Sequence, residues 1–149
     1  MKVIMQRINL PDENKKRFIA ILNKKIKIGQ LMNALGHMTA GLAGGEKPED
    51  YCFLQYEDSD GGKHPNISHY PFIVLRADNS NKIRNVRKAA IEQNIPFTDF
   101  TQTMTIGTSL EQIEATKKLK EEELEYYGIC LFGDTEILKK FTAKFSLFN

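Results

Sequence analysis

Two stretches carry the pattern from which the fold is read: Arg17-Phe18-Ile19-Ala20-Ile21-Leu22, and then Ile28-Gly29-Gln30-Leu31-Met32-Asn33-Ala34-Leu35-Gly36-His37-Met38-Thr39-Ala40-Gly41-Leu42. The first is a short apolar run stopped by Asn23, the mark of a buried strand. In the second, Leu31, Leu35, Met38 and Leu42 recur at spacings of four, three and four, which places them on one helical face. Lys24 to Lys27 form a basic connection between the two, and Gly44 with Gly45 is expected to close the helix as a left-handed cap.

The same two periods alternate along the rest of the chain. Glu46 to Tyr70 lacks either period and reads as a long loop centred on Asp58-Ser59-Asp60-Gly61-Gly62, a length that is often functional. Phe72-Ile73-Val74-Leu75 is a second strand. Ser80 or Asn81 caps a helix to about Gln93, with Ile83, Val86, Ala90 and Ile91 inward. Phe97 to Thr103 alternates weakly and is a third strand. Ser109 with Gln112 fits a capping box for a helix marked by Leu110, Ile113 and Leu124, with Glu121 to Glu125 as its solvated face. Tyr127-Gly128-Ile129-Cys130-Leu131-Phe132-Gly133 is a fourth, buried strand. Asp134 or Thr135 caps a last helix with Ile137, Leu138 and Phe141 inward, and Phe145 to Phe148 ends the chain in apolar residues. Four strands alternating with four helices predict a three-layer α/β sandwich, a small, mostly parallel sheet with helices on both faces.

At 149 residues the chain suits one domain, with residues 1–14 as an N-terminal arm set off by the break at Pro11-Asp12-Glu13-Asn14. The 41% hydrophobic and 27% charged content excludes disordered, collagen-like and coiled-coil classes. Cys52 and Cys130 sit among apolar neighbours and make no disulfide framework. MKVIMQRINL is interrupted by Gln6, Arg7 and Asn9 and does not read as a signal peptide. The longest stretch free of Asp, Glu, Lys and Arg, Ile28 to Gly45, holds five glycines and does not read as a membrane span. A cytoplasmic protein with no membrane partner is expected.

The chemistry on offer gathers at the first helix. Its basic approach delivers free backbone N–H groups and the positive end of a helix dipole, which favour an anion. Up to Lys27 there are eight basic against two acidic residues, an asymmetry suited to a phosphate backbone. Gln30, Asn33 and His37 share one flank of the helix, where an amide and an imidazole one turn apart can orient a carbonyl or a water. The sequence around Asp58 fails as a calcium loop, since Gly61 and His69 stand at positions four and twelve where a Gly at six and a Glu at twelve are required. His64 and His69 lack a third ligand for zinc. No phosphate-binding loop, dinucleotide fingerprint or nucleophile elbow occurs, so neither metal nor cofactor is expected. The aromatic residues form no stacking array of the kind that reads single-stranded RNA.

Two families resemble this chain. Lys16 to Leu22 followed by Ile28 to Met38, together with a Gly-containing apolar strand, a helix and Phe141-Thr142-Ala143-Lys144-Phe145-Ser146-Leu147 at the end, resembles the type 2 peptidyl-tRNA hydrolases. A closer likeness is to a bacterial domain-of-unknown-function family with the same fold, carried by Asn33-Ala34, Asp60-Gly61 with His64, Asp99-Phe100, and Tyr126-Tyr127-Gly128-Ile129-Cys130-Leu131-Phe132-Gly133. The resemblance implies a four-stranded mixed sheet with helices on both sides. It also implies action on the ester joining peptide to tRNA, helped by a lysine near the start of the first helix. Matching Gly29 and His37 puts Gln30 at that lysine, and Gln carries no positive charge. The hydrolases' Asp-Ala-Gly-Arg-Thr-Gln-like stretch is shortened here to Asp99-Phe100-Thr101-Gln102-Thr103, without Arg.

Two functions follow as expectations. One is a hydrolase for an ester or amide of an anionic or tRNA-like substrate, with Asn33, His37 and Asp99 catalytic and Lys27, Gln30, Asp60, His64 and Thr101 holding substrate. The other is a binding module that holds a small anionic, nucleotide-like ligand, or a protein, without chemistry. The apolar end from Phe145 to Phe148 docks into its own core or into a second copy, so a homodimer is compatible with either.

Overall fold

The computed structural model describes residues 9–45, 47 and 50–149, so the first eight residues of the expected arm lie outside the described residues. The opening strand and helix form as their patterns dictate: β1 is Lys16–Asn23 and α1 is Ile28–Gly45. Gly44 and Gly45 are inside α1 rather than capping it, and neither has a positive φ. Leu31, Ala34, Met38 and Leu42 are buried, while Leu35 is half-buried at the margin of the stripe.

Residues 46–70, expected as a loop, contain a hairpin of β2 (Phe53–Glu57) and β3 (Lys63–Ser68) that makes its own two-stranded sheet. These strands are exposed for most of their length, so they carry none of the apolar alternation by which a half-buried strand is recognised. Their turn is organised by Asp58, whose Oδ1 accepts from the Asp60 and Gly62 N–H groups at 2.9 Å each, with Gly61 at φ +82°. Glycine meets no steric penalty in that left-handed conformation.

The main elements follow: β4 (Phe72–Ala77), α2 (Ser80–Glu92), β5 (Phe97–Thr101), α3 (Ser109–Lys117), β6 (Tyr126–Asp134), α4 (Thr135–Thr142) and β7 (Ser146–Leu147). Single helical turns at Gln102–Thr105 and Glu121–Glu123 connect β5 to α3 and α3 to β6. The N-caps fall one residue earlier than expected at two helices. Asn79 caps α2 through the Lys82 N–H, which frees the Ser80 Oγ to accept from the Tyr126 N–H at 2.8 Å. Thr108, paired with Glu111, makes the capping box of α3, displacing the Ser109 and Gln112 frame. Asp134 caps α4 as one of the two expected choices. Ile91 and Ile137, expected inward, are exposed, and so are Leu110 and Ile113, the apolar marks of α3.

The main sheet has five strands in the order β5-β6-β1-β4-β7, not four. It is mixed, as the resemblance implies, rather than mostly parallel: only β1 and β4 pair in parallel, and β6 is antiparallel to both β1 and β5. The fifth strand comes from the apolar end of the chain. β7 pairs antiparallel with β4, the Phe148 N–H reaches the Val74 carbonyl at 2.9 Å, and Phe148 packs on the chain's own core.

Strand alternation divides the core in two. Phe18, Ala20 and Leu22 of β1 face α1 together with Tyr51, Phe100, Cys130 and Phe132. Ile19 and Ile21 face α2 and α4 together with Ile83, Val86, Ala90, Leu131 and Leu138. Helices therefore cover both faces, as expected. Burial drives the Cys130 thiol pKa up to about 12, so it remains an unreactive thiol at neutral pH.

Candidate functional site

The strand directions set where a site can form. β1, β4 and β5 run the same way, so their carboxyl ends share one edge of the sheet. From the adjacent parallel strands β1 and β4, the chain continues into α1 on one face and α2 on the other. Where the following helices part to opposite faces, a crevice opens beyond the strand ends, the usual ligand position in open α/β sheets.

A groove of about 630 Å³ occupies that place. Its floor comes from Asn23 at the end of β1, and its sides from Lys25, from Asn79, Ser80 and Asn81 at the start of α2, and from Glu122 and Glu125 before β6. Asn23 is 1% exposed. Its Nδ2 donates to the Tyr126 carbonyl at 3.0 Å and its Oδ1 accepts from the Lys25 N–H at 3.1 Å, so one buried amide ties β1, β6 and the lysine connection together. Arg84 braces the opposite wall. Its guanidinium reaches Glu121 Oε1 at 3.2 Å and the Leu124 carbonyl at 2.6 Å, and it lies over the Tyr126 ring.

The charges at the rim are unequal in freedom. Asp78 holds Lys24 at 2.7 Å and Lys82 at 3.1 Å, and those two cations bring its carboxyl down to about 2. Lys25 forms no ion pair among the described residues, and Glu122 and Glu125 likewise have none. The groove thus pairs a free ammonium near a helix N-terminus with two free carboxylates across from it.

The expected site residues fall into four places. Lys27, just before α1, and Gln30, Asn33 and His37 along one flank of that helix are all exposed, and its first turn is open to solvent as expected. His37 stacks on Phe100 with ring centroids 5.9 Å apart. Asp99 is not with them. In β5, Thr98 and Phe100 face α1, the Thr98 hydroxyl donating to the Met38 carbonyl at 2.8 Å. Asp99 between them points to the other face, where Arg87 of α2 donates to it at 3.0 Å. Burial lifts the Asp99 carboxyl above its ordinary value against the opposing effect of Arg87. Thr101 is buried in a chain of hydroxyls, 2.8 Å from Thr103, which is 2.7 Å from Thr116. Asp60 and His64 belong to the hairpin, where His64 Nε2 lies 2.9 Å from Asp58 and lowers that carboxyl's pKa. None of these eight residues lines the groove. No group of three or more His, Cys, Asp or Glu able to hold a metal occurs among the described residues.

The groove residues were missed, although a signal exists. Asn23-Lys24-Lys25 and Asp78-Asn79-Ser80-Asn81-Lys82 are each a polar cluster placed directly after a buried parallel strand.

A family model described as "Protein of unknown function (DUF2000)" matches residues 16–149. Among solved structures, a protein of unknown function from Agrobacterium tumefaciens strain C58 is similar, with 18% identity and a TM-score of 0.78 over 91% of this chain and 98% of that one. A likeness at that identity speaks to the fold alone. No curated protein matches. No helix among the described residues is long and apolar enough to cross a membrane.

Proposed function

The chain belongs to the DUF2000 family, and we propose that it is a binding module for a small anionic, nucleotide-like ligand, seated in the groove at the carboxyl ends of β1 and β4. The observation that carries this reading is the groove's arrangement of charge. Lys25 and the start of α2 suit a phosphate or carboxylate, since a helix N-terminus and a free ammonium both favour negative charge. Glu122 and Glu125 opposite suit hydroxyl or amino donors at the other end of the same ligand.

A type 2 peptidyl-tRNA hydrolase-like architecture and a cytoplasmic location belong to the same proposal, and the order of elements supports the first. Hydrolysis of a tRNA-linked ester is the weaker reading. Asn33 and His37 stand on one flank of α1, but their expected partner Asp99 is bound to Arg87 on the opposite face of the sheet. Gln30 supplies no charge at the position where a hydrolase lysine would act.

Titration with adenosine 5′-monophosphate and with inorganic phosphate, followed by backbone amide shifts, tests the binding reading. Millimolar ligand is expected to move the amides of Asn23, Lys25 and Asn79 to Lys82. Lys25→Ala is expected to weaken binding roughly tenfold or more, since a hydrogen bond to a charged group contributes about 1.5–3 kcal/mol. Shifts gathered instead around Lys27, Gln30 and His37, or none at all, overturn it.

A further inference from the structure

The acidic wall of the groove is held in place from two sides. Glu121 to Glu125 carries four carboxylates in five residues, shaped only by a single helical turn. Like charges this close repel one another, which favours a segment spread into water. Arg84 of α2 opposes that. Its guanidinium donates to Glu121 Oε1 at 3.2 Å and to the Leu124 carbonyl at 2.6 Å, and lies 3.4 Å from both the Glu121 and the Glu122 carbonyl oxygens. From the other side, just past β5, Gln102 Nε2 donates to the Glu123 carbonyl at 3.2 Å and its Oε1 accepts from the Glu125 N–H at 2.7 Å.

These bonds also sort the carboxylates. Glu121 is engaged by Arg84 and by the Tyr126 hydroxyl, which donates to it at 3.0 Å. Glu123 turns back to accept from the Lys120 N–H at 2.7 Å. Glu122 and Glu125 are left on the groove. Arg84 itself is directed at the protein. Its side chain is 13% exposed, and its remaining arm reaches Asn81 Oδ1 at 3.0 Å. With its donors turned to its own chain, it acts on a ligand only through the wall that it holds.

We infer that Arg84 is a positioning residue of the groove: by fixing Glu121 to Glu125 it sets where Glu122 and Glu125 meet the donor-bearing end of a ligand, and so makes the groove prefer a phosphorylated molecule with hydroxyl or amino groups over phosphate alone. The inference rests on the binding reading above and adds what selects among ligands that share one anionic end. Lysine is no substitute at this position. It keeps the charge, but its three donors sit on one atom and cannot span acceptors spread from Glu121 to Leu124 as a planar fork does. Gln102 acts on the same wall without touching α2.

Arg84→Lys and Gln102→Ala test it in two measurements. Without ligand, hydrogen exchange at the Leu124 and Glu125 amides is expected to quicken at least about tenfold in each variant, while exchange in β1 and β4 stays as in the wild type. In titrations, affinity for adenosine 5′-monophosphate is expected to fall at least about fivefold while affinity for inorganic phosphate stays within about twofold, because the Lys25 and α2 end is untouched. Retained phosphate binding also reports that each variant is folded. An arginine with a structural role alone would weaken both ligands alike or neither, and either result overturns the inference while the binding reading stands. Unchanged exchange at Leu124 and Glu125 does the same, as does a wild type that holds phosphate as tightly as adenosine 5′-monophosphate. A wild type that binds neither ligand overturns the binding reading, and the inference with it.

Discussion

Asn23 gives the most exacting test of how the groove is built. Replacing it with Ala removes the amide that donates to the Tyr126 carbonyl and accepts from the Lys25 N–H. The two losses are unequal. Lys25 is exposed, and its N–H can turn to water, so that bond costs little. The Tyr126 carbonyl lies at a buried residue, and losing a buried partner costs about 1–3 kcal/mol. With about 2.1 cal/mol/K of unfolding entropy per residue, this chain's 149 residues convert that cost into a fall of roughly 3–10 °C in melting temperature. Asn23→Asp separates the two bonds. It keeps the acceptor for Lys25 and sets a carboxylate oxygen against a carbonyl oxygen, with the added cost of burying a charge. At neutral pH it is expected to melt below the Ala variant and to recover on acidification, when a protonated carboxyl can donate. Thermal melts by circular dichroism at pH 5 and pH 8 measure both. An Ala variant within about 1 °C of wild type, or an Asp variant as stable as wild type at pH 8, refutes the clamp.

Two further outcomes probe the core and its charges. A Cβ on Gly128 would sit 2.8 Å from Leu22 Cδ2 and from Met38 Cε, and 3.1 Å from the Ile21 carbonyl oxygen. The side-chain ends can shift but the carbonyl cannot, so Gly128→Ala is expected to cost about 1–3 kcal/mol by urea unfolding, and an unchanged midpoint would show that α1 does not press on the sheet there. Asp99 and Asp78 have opposite pH signatures. Burial raises the Asp99 carboxyl pKa in the fold, so its contribution favours the fold below 3.8, is lost as pH rises through the raised value, and leaves the ionised group a net cost at neutral pH. Asp78 is depressed by Lys24 and Lys82 to about 2, so its contribution is present above 3.8 and disappears as pH falls towards 2. Asp99→Asn is therefore expected to change stability at pH 7 by no more than about 1 kcal/mol, and a loss above about 2 kcal/mol in urea melts would mean that the Arg87 bond outweighs desolvation.

Much of the architecture is legible because burial on both faces writes itself into composition. β1 and β6 are central strands and read as unbroken apolar runs; α1 and α2 read as stripes because each covers one face. What escaped notice has little burial to write. The hairpin at 53–68 is exposed, and β7 is two residues long, held by pairing and by the anchor of Phe148 rather than by a pattern. Ile91 and Ile137, expected inward, are exposed for the same reason from the other side: period alone says that a stripe exists, not how far around the helix its cover extends.

The site was harder to read than the fold because it depends on adjacency and parity. Asn23 and Asn79 are 56 positions apart and meet only because β1 and β4 pair in parallel with their helices on opposite faces. Nothing local to either segment states that pairing. Parity decided Asp99. Once α1 is placed over Phe18, Ala20 and Leu22, the strand β5 must show it either Thr98 and Phe100 or Phe97 and Asp99. Placing the large apolar Phe100 under the helix and beside His37 sends Asp99 through the sheet to Arg87. An active-site carboxylate beside His37 would have required Phe100 to face Arg87 instead. The alternation that fills the core beneath α1 is thus the same feature that separates the expected catalytic pair, and it leaves the amide-rich edge between β1 and β4 as the place where polar side chains converge.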